Sequence, residues 1–509
     1  MTQESATRSP RGVPAFLGID LGTSSVKVVV VGLDGSLLGQ ADGSYSVLSP
    51  RHGWSEADPQ AWLASTATAV RTAVAGARAD VLGIGFSGQM HGIVAADGAG
   101  AAVRPAMLWS DARATDQLRS YEKLPAHVRA RLANPLSPGM AGPLLSWLEE
   151  NEPRAWAATR WALSPKDWLR SRLTGEFATE PSDASATLLY DIVGDGWDLD
   201  VLDVLGLDPA KLAPLLPGSA HRAGALSPRG AELLGLPPGI PVAAGAADTA
   251  AAALGSALTD PATAQLTIGT GAQVIRPVAV LPADLSPSPV THLYRTADDS
   301  GWYSMAASLN GGSTLSWVRG VLGASWQEVY DAASLPPDED APLFLPHIHG
   351  ERTPYLDAGM RGAWTGLTPR HGRRDLLRAA LEGVAFAVRE ATDCLLASDE
   401  AVRELRLAGG GTAAPAWRQM LADVLERPLT PVEVPAASGL GAAILARRAA
   451  GVAEEPGDRR AGTSSSTTSP RPERSSFFQH RFGAYRERVS ALRLAAGRPL
   501  PELVQPGTT

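Results

Sequence analysis

The chain of 509 residues is too long for one ordinary hydrophobic core and calls for two or three compact units. Its 45 Lys plus Arg against 53 Asp plus Glu give a net charge of −8, which offers no long-range attraction to nucleic acid or an anionic membrane. A single cysteine, Cys394, excludes an internal disulfide, suits a reducing cytoplasm and reads as a buried small hydrophobe.

Residues 1–13 carry Ser, Thr, Arg and Pro with neither an apolar period nor the apolar core of a signal peptide. They read as a disordered lead-in to a cytoplasmic, non-membrane protein. Order is expected from "FLGIDLGTSSVKVVVVGLDG" (16–35), a hairpin whose turn holds Asp20 and then Gly22-Thr23-Ser24 between two apolar strands. Backbone N–H groups and the Thr23 and Ser24 hydroxyls at such a turn can meet a phosphate, with Asp20 placed to hold magnesium through water. The alternative is a surface hairpin whose Asp caps its own turn.

The stretch "DPQAWLASTATAVRTAVAGA" then has helical spacing, with Asp58 as cap and Pro59 in the first turn. "VLGIGFSGQMHGIVAAD" reads as strand, glycine bend, strand. Its "GIGFSG" matches the dinucleotide fingerprint in form, with Asp111 at a suitable distance, but a strand rather than a helix is expected to follow, which removes that reading. In the same bend, His91 could exchange hydrogen bonds with a hydroxyl-rich ligand while Met90 packs beside it, or it could serve structure alone. In "VAAGAADTAAAALG", Asp248 ends a strand of small residues and opens an alanine-rich helix. A carboxylate there has room for a substrate and could act as a base, and it could equally cap the helix.

Half a chain after the first hairpin, "AQLTIGTGAQVIRPV" (264–278) repeats the pattern of strand, Gly269-Thr270-Gly271 turn, strand. Two such units suggest related domains facing across a cleft, and two glycine-threonine turns can grip a polyphosphate from both sides. His347-x-His349 lacks the Cys or carboxylate company of a zinc site. "RRDLLRAALEGVAFAVREATDCLLA" is an amphipathic helix, and "VRELRLAGGGTAAPAWRQMLADVLERPL" reads strand, glycine bend, helix, strand, where Gly409, Gly410 and Gly411 would admit a flat or anionic ligand. Residues 451–476 are expected to be a disordered insertion, 477–497 a helix docking on the body, and 498–509 a disordered tail.

The stretches "GIDLGTSSVKV", "GWSEADPQAW", "GIGFSGQMHG", "RPAMLWSDAR", "LSPKDWLRSRLTGEFATEPSDAS", "GERTPYLDAGMRGAWTGLTPRHG" and "WRQMLADVLERPL", in this order, resemble the FGGY carbohydrate kinases of the actin/hexokinase/heat-shock ATPase fold, most closely the xylulokinases. The glycine turns are common to the whole superfamily, whereas "GQMHG" with "LWSDAR" and "GERTP" narrows the resemblance to pentulose kinases. It implies an α/β fold of two actin/hexokinase-like (ribonuclease H-like) domains with an interdomain cleft. Residues 14–257 would bind sugar and carry the first phosphate hairpin, and 258–450 would bind nucleotide.

The implied reaction is transfer of the γ-phosphate of ATP, with Mg²⁺, to D-xylulose, giving D-xylulose 5-phosphate. At matching positions the resemblance makes Asp248 the general base and Asp20 the magnesium ligand. It puts Met90, His91, Asp248 and Thr249 on the sugar, and Thr23, Ser24, Gly269, Thr270, Gly312, Gly410 and Gly411 on ATP. Domain closure and a homodimer are also implied. The chain departs from the family pattern at Thr249, where Asn or Gln is usual, at Ala246-Ala247, at Gly271 and at Thr412-Ala413-Ala414-Pro415. Another ketose or polyol such as ribulose therefore stays open as acceptor, as does a non-catalytic sugar or nucleotide sensor on the same scaffold.

Overall fold

The computed structural model describes residues 12–286, 290–298, 301–396, 402–409, 414–453, 462–463 and 466–497. Val13–Leu21 (β1), Ser25–Gly32 (β2) and Leu37–Ser44 (β3) form an antiparallel meander. The β-branched run of β2 suits a strand buried on both faces. Ala79–Gly88 (β4) runs parallel to β1, and Arg222–Ala225 (β5), Pro241–Ala243 (β6) and Ala246–Ala247 (β7) complete a seven-stranded sheet of order β5-β6-β4-β1-β2-β3, with β7 also paired to β4.

A second seven-stranded sheet contains Thr263–Ile268 (β8), Ala272–Val278 (β9), His292–Arg295 (β10), Trp302–Ser308 (β11), Glu404–Ala408 (β12), Leu429–Glu433 (β13) and Gly462–Thr463 (β14), in the order β10-β11-β9-β8-β12-β13-β14. The pairing β3-β2-β1-β4-β6 in the first sheet matches β11-β9-β8-β12-β13 in the second, with two antiparallel contacts followed by two parallel ones. The two hairpins noticed in the sequence are thus equivalent positions in two copies of one topology.

Helices cover both sheets: Pro59–Ala77 (α1), Pro165–Thr174 (α2), Asp248–Gly255 (α3), Gly312–Val321 (α4), Arg373–Leu396 (α5), Ala437–Ala449 (α6) and Ser475–Ala495 (α7). As the sequence suggests, Asp58 caps α1 by accepting from Gln60 N–H at 2.9 Å, and Pro59 opens the helix. Trp62 of α1 meets Trp168 of α2 edge-on in the first core. The core of the second sheet gathers Leu381, Val384 and Phe386 of α5 with Phe478, Tyr485 and Val489 of α7.

The helix α6 belongs to the second half of the sequence yet lies against the first sheet. Its backbone passes so close that a Cβ on Gly18 would stand 2.0 Å from Gly439 O, and one on Gly85 1.9 Å from Ala442 O. Glycine at these two strand positions is what admits the helix. Ser438, in the first turn of α6, donates to the Asp248 carbonyl at 3.3 Å, so the two halves meet at the root of α3.

Three expectations change. Residues 466–476, expected inside a disordered insertion, dock on the body: Thr468 and Leu429 exchange 2.9 Å backbone hydrogen bonds, and Arg471 pairs with Asp423 at 2.6 Å. The Asp423 side chain is fully buried and needs a cation, a partner that composition alone does not reveal. At the other end, β1 begins at Val13, inside the expected lead-in. Cys394 is only partly buried, and burial beside Glu390 and Asp393 pushes its thiol up to about 12, which leaves it unreactive. The expected disorder of residues 1–11 and 498–509, and of much of 454–465, falls outside the described residues. Among the described residues no helix is long and apolar enough to cross a membrane.

Candidate active site

The strands β1, β4 and β7 run parallel and end together. Asp20 on β1 is level with Ser87 on β4, and Ser87 is level with Ala246 on β7, two residues before Asp248. The carboxyl ends of parallel strands are where open α/β sheets present ligand sites. Register alone therefore delivers Asp20 and Asp248, more than two hundred residues apart in sequence, to one edge.

Asp248 is the first residue of α3, while Ala247 occupies the cap position, so the carboxylate does not serve as the helix N-cap. Its Oδ1 accepts instead from Thr249 N–H at 2.6 Å and from the Thr249 hydroxyl at 3.2 Å. Burial, and then the charge of Asp20, push the Asp248 carboxyl up to about 7. A carboxyl poised near neutrality in a partly open recess suits proton transfer. Asp20 is itself raised by burial, against the opposing effects of the 2.9 Å hydrogen bond from Ser87 and of the Lys27 charge. The Asp20 charge acts on Asp248, and among the described residues no cluster of three or more acidic, histidine or cysteine side chains forms here; an oxygen donor such as Asp20 would suit a hard cation like magnesium, which keeps several ligands outside the protein.

The first turn is fixed from behind: Gly22 O accepts from the Tyr45 hydroxyl at 2.6 Å and from Gln89 Nε2 at 3.1 Å. Thr23 Oγ1 accepts from Trp109 Nε1 at 2.9 Å, which leaves its own proton to donate; Ser24 is exposed beside it. In the second half, Gly269 N–H donates to Gly271 O at 2.9 Å, and the turn rests on the start of α4 through Gly312 N–H to Gly269 O at 2.8 Å. A Cβ on Gly312 would stand 2.6 Å from that oxygen. Gly269, Thr270 and Gly312 therefore share one exposed site. Gly409 follows β12 directly beside Ile268, but Gly410, Gly411, Thr412 and Ala413 lie outside the described residues.

His91 adopts φ 74° and donates from Nδ1 to Ala186 O at 2.8 Å. Burial, with help from the Arg352 charge, pulls its pKa down to about 4, so the ring is neutral and Nε2 is an acceptor. Met90 is buried, with the Tyr303 hydroxyl 3.9 Å from its sulfur. Tyr303 stays protonated through burial, the neighbouring Tyr294 and the Asp248 charge, which places it between the acid and the aromatic wall. His91 Nε2 and the half-buried Asp248 carboxylate can each accept from a hydroxyl, and Met90 adds apolar surface beside His91, a chemistry suited to a polyhydroxylated ligand.

Below it, Lys166 joins Asp167 at 2.8 Å, Asp183 at 3.0 Å and Glu180 at 3.2 Å in full burial. Arg170 donates to Ala244 O at 2.6 Å, and the Ser182 hydroxyl accepts from Ala247 N–H at 3.0 Å. This network pins the strand end that carries Asp248. Its members stand in "SPKDW" and "PSDAS", as Trp109 stands in "LWSDAR" and Arg352 in "GERTP". Those motifs signal kinship, but their individual roles come from contacts far apart in sequence. Asp111, which completed the formal dinucleotide fingerprint, is buried in a 2.7 Å ion pair with Arg113. His347 is likewise internal, held by Glu351 at 3.1 Å and by the Tyr485 hydroxyl at 3.2 Å.

The model of the N-terminal domain of the FGGY family of carbohydrate kinases matches residues 15–255, and that of the C-terminal domain matches 264–450. The xylulose kinase of Escherichia coli (strain K12) is 35% identical over 445 residues, covering 87% of this chain and 90% of that protein. The xylulose kinase of Klebsiella pneumoniae is 35% identical over 413 residues, covering 80% and 84%. The crystal structure of xylulose kinase from Rhodospirillum rubrum superposes with a TM-score of 0.86 at 27% identity, over 95% of this chain and 100% of that one.

Proposed function

Since the chain belongs to the FGGY family of carbohydrate kinases and is an ATP-dependent sugar kinase, we propose that its acceptor is D-xylulose and its product D-xylulose 5-phosphate. The observation that carries the mechanism is the Asp248 carboxyl, raised to about 7, with its charge acting on Tyr303, which in turn lies beside Met90 of the His91 bend. The names of the relatives support the choice of sugar.

Asp248 takes the proton of the attacking sugar hydroxyl. His91 Nε2 and Thr249 orient the other hydroxyls. Thr23 and Ser24 from one side, and Gly269, Thr270 and Gly312 from the other, hold the nucleotide phosphates in line; Gly410 and Gly411 join them by family position. Asp20 would hold magnesium, which would offset phosphate charge when bound. Closure of the two sheets on each other excludes water, which would otherwise compete as acceptor. By the same family reasoning the protein works as a homodimer in the cytoplasm.

A panel of D-xylulose, D-ribulose, L-xylulose and glycerol, read by sugar-dependent ADP release from purified protein, tests the substrate. D-xylulose is expected to give the highest kcat/KM. A higher value for another sugar would replace the substrate, and ADP release independent of sugar would replace the kinase reading with an ATPase.

A further inference from the structure

Several buried arginines of the first half are paired with carboxylates. Arg104 sits on Glu56 and Glu152, Arg113 on Asp111 and Glu56, and Arg170 on Asp167. Among the described residues the Arg352 guanidinium has no hydrogen-bond or ion-pair partner. It lies over the Trp109 ring, with its central carbon 5.2 Å from the ring centroid.

The carboxylate next to it in sequence is spent elsewhere. Glu351 accepts from the Ser308 hydroxyl and Asn310 Nδ2 at 3.0 Å, from His347 at 3.1 Å, and from the backbone N–H groups of Leu309 and Arg352 at 2.9 Å. Five donors to one buried carboxylate lock the loop, and the guanidinium takes no hydrogen bond to it, lying instead over Trp109. The guanidinium feels Glu351 and Tyr294 only through space, and a largely desolvated cation without a hydrogen-bonded anion is stabilised by one arriving there.

Its position says which anion. Arg352 comes from the second half of the chain, whereas Trp109 comes from the first and holds the Thr23 hydroxyl of the phosphate turn. His91 and Tyr294, whose rings are 5.9 Å apart, also lie within reach of the Arg352 charge, which acts on both. The guanidinium therefore lies between the phosphate turn and the sugar pocket, where a transferring phosphoryl group must pass.

We propose that Arg352 binds the oxygens of the phosphoryl group during its transfer and of the phosphate ester that results, a role that rests on the sugar-kinase reading above. In that step the sugar oxygen forms a bond to the γ-phosphorus. The bond from that phosphorus to the bridging oxygen breaks, ADP leaves with the electron pair, and the hydroxyl proton passes to Asp248. The planar fork of Arg352 matches two phosphoryl oxygens, which a lysine ammonium cannot do.

The test compares wild type, Arg352→Gln and Arg352→Lys, full-length, by kcat and by calorimetric binding of D-xylulose and of D-xylulose 5-phosphate without nucleotide. The glutamine variant is expected to lose roughly 10²–10³-fold in kcat, the scale of one lost charge-stabilising donor, with the lysine variant in between. In both variants the affinity for the ester should fall about tenfold or more relative to that for the free sugar. An unchanged ratio of the two affinities overturns the assignment, and should the glutamine variant not fold, the lysine variant gives the same reading. A wild-type protein that phosphorylates no sugar overturns the kinase reading as well, whereas normal turnover with an unchanged ratio overturns this assignment alone.

Discussion

Asp20 near the end of β1 and Asp248 just past the end of β7 lie at one edge of the same sheet, and the charge on Asp20 adds to burial in raising the Asp248 carboxyl to about 7. One register thus places the proposed base and, after burial, contributes to its basicity.

The pH dependence follows from that shift. A base must be ionised to accept a proton, so kcat should fall as pH drops through about 7. Asp20→Asn removes the second cause of the shift and should move the acidic limb of the profile to lower pH. A limb that stays in place in the variant would contradict the pairing.

Stability should move the other way. Folding raises the Asp248 carboxyl from its ordinary value of 3.8 to about 7, so the folded state binds more protons than the unfolded chain between these values. The contribution of this group is then fully present at low pH and lost as pH rises through about 7. Asp248→Asn, which stays neutral, should raise Tm at pH 8 and change it little at pH 4; equal effects at both would count against the shift.

The buried Lys166 network should be intolerant of half-removal. Lys166→Met leaves Asp167, Glu180 and Asp183 without their shared cation and is expected to cost about 3–5 kcal/mol, measured by denaturant unfolding. A loss below about 1 kcal/mol would mean the carboxylates are neutral in the folded protein.

The close approach of α6 makes a backbone prediction. In Gly85→Ala the new Cβ meets the Ala442 carbonyl at 1.9 Å, where backbone rather than a side-chain end must give way. We expect destabilisation of about 1–3 kcal/mol or more. An unchanged midpoint would mean the helix shifts freely.

How much of this was legible in the sequence depends on how far apart the partners lie. The two hairpins, the Asp58 cap and the strand-to-helix break at Asp248 are local patterns and could be read directly. The neutral tautomer of His91, the buried pairing of Arg471 with Asp423 and the seat of α6 on Gly18 and Gly85 depend on groups distant in the chain. Composition marked 466–476 as polar without showing the carboxylate that orders it. The cap reading of Asp248 failed because the helix starts on that residue, which frees the side chain for the cleft.

The most direct measurement is the steady-state rate of Asp248→Asn with D-xylulose and saturating ATP and Mg²⁺, alongside its affinity for ATP. The account predicts a kcat lower by roughly 10²–10⁴-fold, with ATP binding preserved. Turnover close to wild type would show that the proton leaves the sugar by another route.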